Sequence, residues 1–195
     1  MPIEYINRKN EKYYLKIALT KTGKKQWCAV KNIAKINQSE LSEEIPLGHE
    51  FYESPMNAQV VLRKIPIYNV SDEEVAIIDS VMKKHETISD YIIDKGENDI
   101  TIYTLRTDDN IDEDDDPYLK YKRMLYTRKY GRYDEGLKFK KNKKKSNKEY
   151  DVQRFCYRSS SYGWITIDSS DDLRYLAEKY CYHIDKESLY DFWGW

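Results

Sequence analysis

Alternating apolar and polar positions predict that the chain begins with a β-hairpin. Apolar side chains occupy every second position from Tyr13 to Leu19, which is the spacing of a strand with one buried face. The Lys-Thr-Gly-Lys sequence at 21–24 supplies a turn, and residues 26–30 can return as the partner strand. Further extended segments flank turn residues and are predicted to form hairpins, with a last strand after them: 50–53 with 58–65, 88–94 with 100–105, 137–141 with 150–157, and then 163–167.

Two segments show the spacing of amphipathic helices. The Ser-x-x-Glu sequence that begins at Ser71 is a capping-box signature, and apolar residues recur three to four positions apart up to about His85. Near the end of the chain, a cap at Ser169 or Ser170 and two following aspartates predict a second helix over about 170–182. Together, these elements indicate the α+β class, with antiparallel hairpins packed with two main helices.

Residues 107–148 break this pattern with two blocks of like charge. Seven acidic and no basic residues lie within 108–116, whereas thirteen basic and two acidic residues lie within 117–148. Charges of one sign at this density repel one another and stay hydrated. We therefore expect a single α+β domain over residues 1–195 that carries a charged, partly mobile insertion at 107–148.

The start of the basic block favours a helix. Asp116 and Pro117 are typical of a helix start, because a carboxylate can cap the first turn and proline lacks an amide that would otherwise be unsatisfied. Gly131 is a suitable helix end. A strand over 124–130 is the alternative, since the apolar residues there fit neither period clearly.

The composition favours a reducing compartment. Cys28, Cys156 and Cys181 form no even set, which is unlike a disulfide framework. The longest uncharged run has nine residues, whereas a membrane span needs about 20 apolar ones. The first residues also lack the pattern of a signal peptide. We therefore expect a cytoplasmic protein with no membrane partner, and the oligomeric state is not indicated.

Motifs of common enzymatic chemistry are missing from the sequence. Its seven glycines form neither a dinucleotide-binding nor a phosphate-binding loop. The serines at 159–161 lack a nucleophile elbow, the acidic run lacks the glycine of a calcium loop, and no cysteine–histidine spacing matches zinc. We predict no catalytic residues, no metal and no cofactor. An enzyme with an unfamiliar site remains an alternative.

The basic block is the candidate binding surface, because its cations alternate with aromatic residues. Cations neutralise phosphates and release counterions, and tyrosine rings stack on unpaired bases. The residues predicted to bind a polyanion are Lys120, Lys122, Arg123, Arg128, Lys129, Arg132, Lys138, Lys140, Lys141, Lys143, Lys144 and Lys145. Those predicted to stack are Tyr121, Tyr126, Tyr130 and Tyr133. The predicted function is a non-catalytic binding module for nucleic acid or an acidic partner protein.

Other interpretations of these features stay open. The basic block can be a hydrated surface without a ligand, and the acidic run at 108–116 can shield it as an internal counterion. The nineteen tyrosines against four phenylalanines fit an aromatic binding surface, but also the codon bias of an AT-rich genome. The main alternative function is a small regulatory or protein–protein interaction protein that does not bind nucleic acid.

Overall fold

Three antiparallel β-sheets and three α-helices form the fold in the computed structural model, which describes residues 1–85, 88, 90–106, 116–142, 148–156 and 163–192. The predicted α+β class is confirmed. The chain divides into two units, Met1–Ile65 and Pro66–Trp195, and one domain over 1–195 stays a prediction. The elements are β1 (Glu4–Ile6), β2 (Lys12–Leu19), β3 (Lys25–Val30), β4 (His49–Glu53), β5 (Val60–Lys64), α1 (Asp72–Met82), β6 (Tyr91–Lys95), β7 (Asp99–Leu105), α2 (Pro117–Tyr130), β8 (Tyr133–Lys141), β9 (Tyr150–Cys156), β10 (Gly163–Ser170) and α3 (Leu173–Tyr180).

The N-terminal unit combines a three-stranded sheet, in the order β1-β2-β3, with the separate hairpin β4–β5. Both hairpins predicted in this part of the chain are confirmed, since β2 pairs with β3 and β4 pairs with β5. Tyr13 and Leu15 of β2 are buried, as are Ala58 and Val60 next to and within β5. The alternation therefore marked the buried face correctly at Tyr13 and Leu15, whereas Leu19 at the end of β2 is 70% exposed, contrary to the prediction.

The C-terminal unit is built on a five-stranded antiparallel sheet in the order β10-β9-β8-β7-β6. Helices α1 and α3 contact each other, and they pack against β6 and β10 respectively. Ile78 and Met82 of α1, Leu176 of α3 and Leu137 and Phe139 of β8 belong to one apolar core. The sheet thus carries both predicted helices on its apolar face.

Helix α1 begins at the predicted capping box. The Ser71 hydroxyl accepts a hydrogen bond from the Glu74 amide at 3.2 Å, and the Glu74 carboxylate accepts one from the Ser71 amide at 2.6 Å. Each side chain thereby satisfies a backbone amide that the first helical turn leaves open.

The predicted cap of α3 is wrong by two to three residues. Ser169 and Ser170 belong to β10, where they pair with β9. Asp172 is the cap instead, and its carboxylate accepts a hydrogen bond from the Tyr175 amide at 3.0 Å. The strand extends past its apolar part because backbone pairing with β9 continues, and that pairing is not visible in the local sequence.

The basic block contributes regular structure to the C-terminal unit. Helix α2 begins at Pro117 with Asp116 as its cap, as predicted, and the alternative of a strand over 124–130 is wrong. At Gly131 a Cβ atom would collide with the Thr127 carbonyl oxygen, so a side chain is excluded at the helix end. Strand β8 follows and lies in the middle of the five-stranded sheet. This part of the predicted insertion is therefore an integral strand.

Candidate nucleic-acid interface

Helix α2 exposes side chains that a globular protein ordinarily buries. Six large side chains along it are between 43% and 65% exposed: Tyr118, Leu119, Tyr121, Leu125, Tyr126 and Tyr130. Helices usually bury a stripe of such residues against the core, yet none of the side chains described for α2 is buried. We call these six residues, together with Lys122 and Lys129, the α2 surface.

Cations and rings lie close together on the α2 surface. The Lys122 ammonium lies 4.7 Å from the ring centroid of Tyr118, one helical turn earlier. The Lys129 ammonium lies 5.2 Å from the ring centroid of Tyr130, and the rings of Tyr126 and Tyr130 are 4.6 Å apart. Cation–ring contacts of this kind contribute about 0.5–1 kcal/mol at exposed sites, so the lysines and tyrosines form one mixed surface.

The charge of α2 is of one sign. Its 14 residues include five basic and no acidic residues, and at 1.5 Å per residue the helix is about 21 Å long. Residues 120, 123 and 128 supply three of these bases; their backbone belongs to α2, and their side chains lie outside the described set. Residues 117–130 therefore carry a formal net charge of +5.

Other predicted polyanion ligands are engaged by carboxylates. Arg132 forms an ion pair with Asp134 at 3.3 Å. Lys141 lies 2.7 Å from Glu74 and 3.6 Å from Glu149. The neighbouring carboxylates partly neutralise these two bases, and neither base belongs to the α2 surface.

The pair of Lys141 and Glu74 belongs to the architecture of the C-terminal unit. Glu74 is 8% exposed and also accepts a hydrogen bond from the Tyr150 hydroxyl. Burial alone would raise the pKa of the Glu74 carboxyl, but hydrogen bonds from Lys141 and Tyr150 outweigh it and hold that pKa below its ordinary value. The carboxylate in turn raises the pKa of the Lys141 ammonium. Lys141 therefore ties β8 to the first turn of α1.

Lys138 and Lys140 lie on the side of β8 opposite to its buried residues, because they alternate with Leu137 and Phe139. The Lys138 ammonium lies 4.2 Å from the ring centroid of Trp164 on β10. Lys140 is exposed and lies in register between Asp99 and Asp151 of the neighbouring strands. Two acidic neighbours reduce the attraction of this face for a polyanion.

Tyr133 is a correction to the predicted stacking set. It is 2% exposed, and its hydroxyl donates a hydrogen bond to the Asp90 carboxylate at 2.7 Å. A ring buried in this way cannot stack on a base. Tyr121, Tyr126 and Tyr130 remain exposed, and Tyr118, which is 61% exposed, joins them.

Several predicted features lie outside the described residues. These are the acidic run up to residue 115, Lys143, Lys144 and Lys145, and the serines at 159–161. Cys181 is 1% exposed and belongs to the core of the C-terminal unit. Within the described ranges, no group of three or more histidine, cysteine, aspartate or glutamate side chains is arranged to hold a metal ion.

Comparisons with known proteins add no relative. No protein-family model, no curated protein and no solved structure matches this chain. Among the helices described here, none has the length and apolar character needed to cross a membrane.

Proposed function

We propose that this protein is a non-catalytic cytoplasmic binding module whose α2 surface contacts single-stranded nucleic acid. The observation that carries the proposal is the exposure of α2, which combines at least four accessible tyrosine rings with a basic sequence free of acids. Such a helix gains little from packing in the described structure, so its composition suits a ligand better than it suits the core.

The two residue types have separate roles in this proposal. Lys122 and Lys129, with the bases at 120, 123 and 128, neutralise phosphates and release counterions. The rings of Tyr121 and Tyr126 stack on bases, which requires bases that are not paired. We therefore expect single strands to bind better than duplexes, with little dependence on sequence, because lysine reads bases poorly.

Fluorescence anisotropy with labelled single strands of about 16 nucleotides tests the proposal. For single strands, each lost phosphate contact lowers the salt slope by about 0.7, so Lys122→Gln with Lys129→Gln should reduce it by about 1.4. Lys24→Gln with Lys25→Gln is the matched control, since both lysines are exposed far from α2 in the sequence. The absence of binding at about 50 mM salt, where electrostatic affinity is strong, would refute nucleic-acid binding.

Tyrosine variants separate stacking from charge. Loss of one stacked base costs about 1–3 kcal/mol, so Tyr121→Ala and Tyr126→Ala should each weaken single-strand binding at least about fivefold. Tyr175→Ala is the control, because Tyr175 is 49% exposed on α3. Equal effects of all three variants would contradict a role of α2 in stacking.

One observation favours a second candidate function, an interaction with an acidic protein. Leu119 and Leu125 are 49% and 46% exposed, and aliphatic side chains gain more from a protein partner than from bases. In that case, Leu119→Ala with Leu125→Ala weakens binding of the acidic protein. The wild-type protein then binds nucleic acid only weakly, and Tyr121→Ala and Tyr126→Ala leave that weak affinity unchanged.

A further inference from the structure

The N-terminal unit contains a concave pocket of about 420 Å³ that nothing described so far explains. Residues of β2 and β3 form one part of its wall, and the segment that leads into β5 forms another. Tyr13, Ala29 and Val60 supply apolar surface, and Tyr13 and Val60 are buried. The remaining lining residues are polar or charged, so the chemistry of this pocket is set by hydrogen bonds.

A buried amide holds one wall of the pocket in place. The Asn7 side chain is 2% exposed, and its amide group donates to the Ala58 carbonyl at 2.8 Å and to the Glu11 carboxylate at 2.9 Å. Its oxygen accepts from the amides of Lys9 and Glu11. Ala58 has a positive φ of 62° and no exposure, and this hydrogen bond joins its strained backbone to the loop that carries Lys9.

The carboxylate in the pocket is already occupied. Glu11 accepts from Asn7 and also pairs with the Lys31 ammonium at 2.8 Å, and Lys31 lies 5.3 Å from the ring centroid of Tyr13. The hydrogen bonds from Lys31 and Asn7 lower the pKa of Glu11, which keeps it ionised. Glu11 is therefore a positioning residue that fixes Lys31.

Hydrogen-bond donors exceed acceptors in the rest of the lining. Among the described residues, Lys9 forms no ion pair within 4 Å, and the side chains of Asn57 and Gln59 are exposed, so their amide groups are accessible to a ligand. The Asn57 oxygen is taken by the Gln59 backbone amide at 2.9 Å. With Lys9, Lys31 and Glu11, the pocket carries a net charge of +1.

We propose that this pocket binds a small molecule through a phosphate or carboxylate group. The Lys9 ammonium and the two amides donate to the oxyanion, and the apolar surface accommodates the uncharged remainder of the ligand. Lys31 is already paired with Glu11, so it adds little charge of its own. The volume suits a small metabolite that carries a phosphate or carboxylate group. This site uses no residue of α2, so it does not depend on nucleic-acid binding.

Amide chemical shifts of the full chain, measured by NMR during titration, test the proposal. The probes are inorganic phosphate, ribose 5-phosphate and citrate, with ribose as the uncharged control. We expect saturable shifts of the Lys9, Lys31 and Gln59 amides with at least one anionic probe and none with ribose. If all three anions give no saturable shift up to about 10 mM, well above a millimolar dissociation constant, the proposal is wrong.

Variants then assign the contacts. Lys9→Gln should weaken binding of the anionic probe roughly tenfold, as expected for the loss of one charge-assisted hydrogen bond. Lys24→Gln, which changes an exposed lysine outside the pocket, should leave the affinity unchanged. Equal affinities of Lys9→Gln and Lys24→Gln overturn the site, whereas a phosphate-specific or citrate-specific response identifies the preferred oxyanion. A thermal unfolding scan of each variant confirms that the fold is retained.

Discussion

Helices α2 and α3 begin with the same kind of cap, but the large side chains of α2 are exposed and the apolar side chains of α3 are buried. Each is capped by an aspartate, Asp116 or Asp172, that accepts a hydrogen bond from a backbone amide. On α3 the apolar residues follow one stripe and are buried, whereas on α2 the large side chains are interspersed with basic residues and are exposed. Local signals thus decide where a helix starts, and the distribution of its apolar residues decides whether its side chains are buried in the core.

The largest expected effect is the difference in protein stability between a leucine-to-alanine substitution in α3 and one in α2. Leu176→Ala in α3 removes a fully buried side chain and should lower the free energy of unfolding by about 3 kcal/mol. Leu125→Ala in α2, at 46% exposure, should change it by less than about 0.5 kcal/mol. Urea denaturation followed by tryptophan fluorescence measures both values. Similar losses for the two variants would break the comparison.

A smaller effect concerns the acid sensitivity of the C-terminal unit and tests the contribution of the ionised Glu74 carboxylate to its stability. Because the pKa of Glu74 is lowered in the folded protein, its stabilisation is present above the unfolded pKa of about 4.3 and is lost as the pH falls through the folded value. Glu74→Gln should lower stability by about 1–2 kcal/mol at neutral pH and flatten the dependence of stability on pH below about 4.3.

Denaturation midpoints between about pH 5 and pH 3, where carboxylates titrate, measure this change. Glu97→Gln is the control, because Glu97 is exposed in the turn between β6 and β7. If Glu97→Gln flattens the pH dependence as much as Glu74→Gln does, the ionised contact with Lys141 is not the cause.

The smallest effect sharpens the comparison at the caps. Removing an aspartate cap costs about 1 kcal/mol of helix stability. Asp172→Ala should lower global stability by that amount, because α3 folds with the core. Asp116→Ala should instead accelerate hydrogen exchange of the Tyr118 amide while the midpoint of global unfolding stays constant. A fall in that midpoint for Asp116→Ala would show that α2 is coupled to the core.

Elements with local signals could be predicted from the sequence. The hairpins around residues 21–24 and 95–98, the capping box at Ser71 and the start of α2 at Pro117 each depend on residues a few positions apart. The strand predicted over 137–141 is confirmed as the second half of β8, and it pairs with β9. Its first half, from Tyr133, was not predicted, because Asp134, Glu135 and Gly136 show no apolar alternation.

Much of the candidate site depended on partners distant in the sequence. Lys141 and Glu74 are 67 residues apart, and Tyr133 meets Asp90 across 43 residues. A single sequence shows the charge of such a residue but not its neighbour, so an engaged lysine and an available one look alike. Exposure of α2 was the feature that only the three-dimensional arrangement could supply.

The position of α2 in the chain has a consequence for how this protein can change. Strands β7 and β8 are antiparallel neighbours, and Leu105 pairs with Tyr133 at the point where the connection leaves and re-enters the sheet. The two anchor points stay adjacent whatever lies between them, and the entropy of closing a loop grows only slowly with its length. We therefore expect insertions, deletions and replacements in this connection to leave the register of β7 and β8 unchanged.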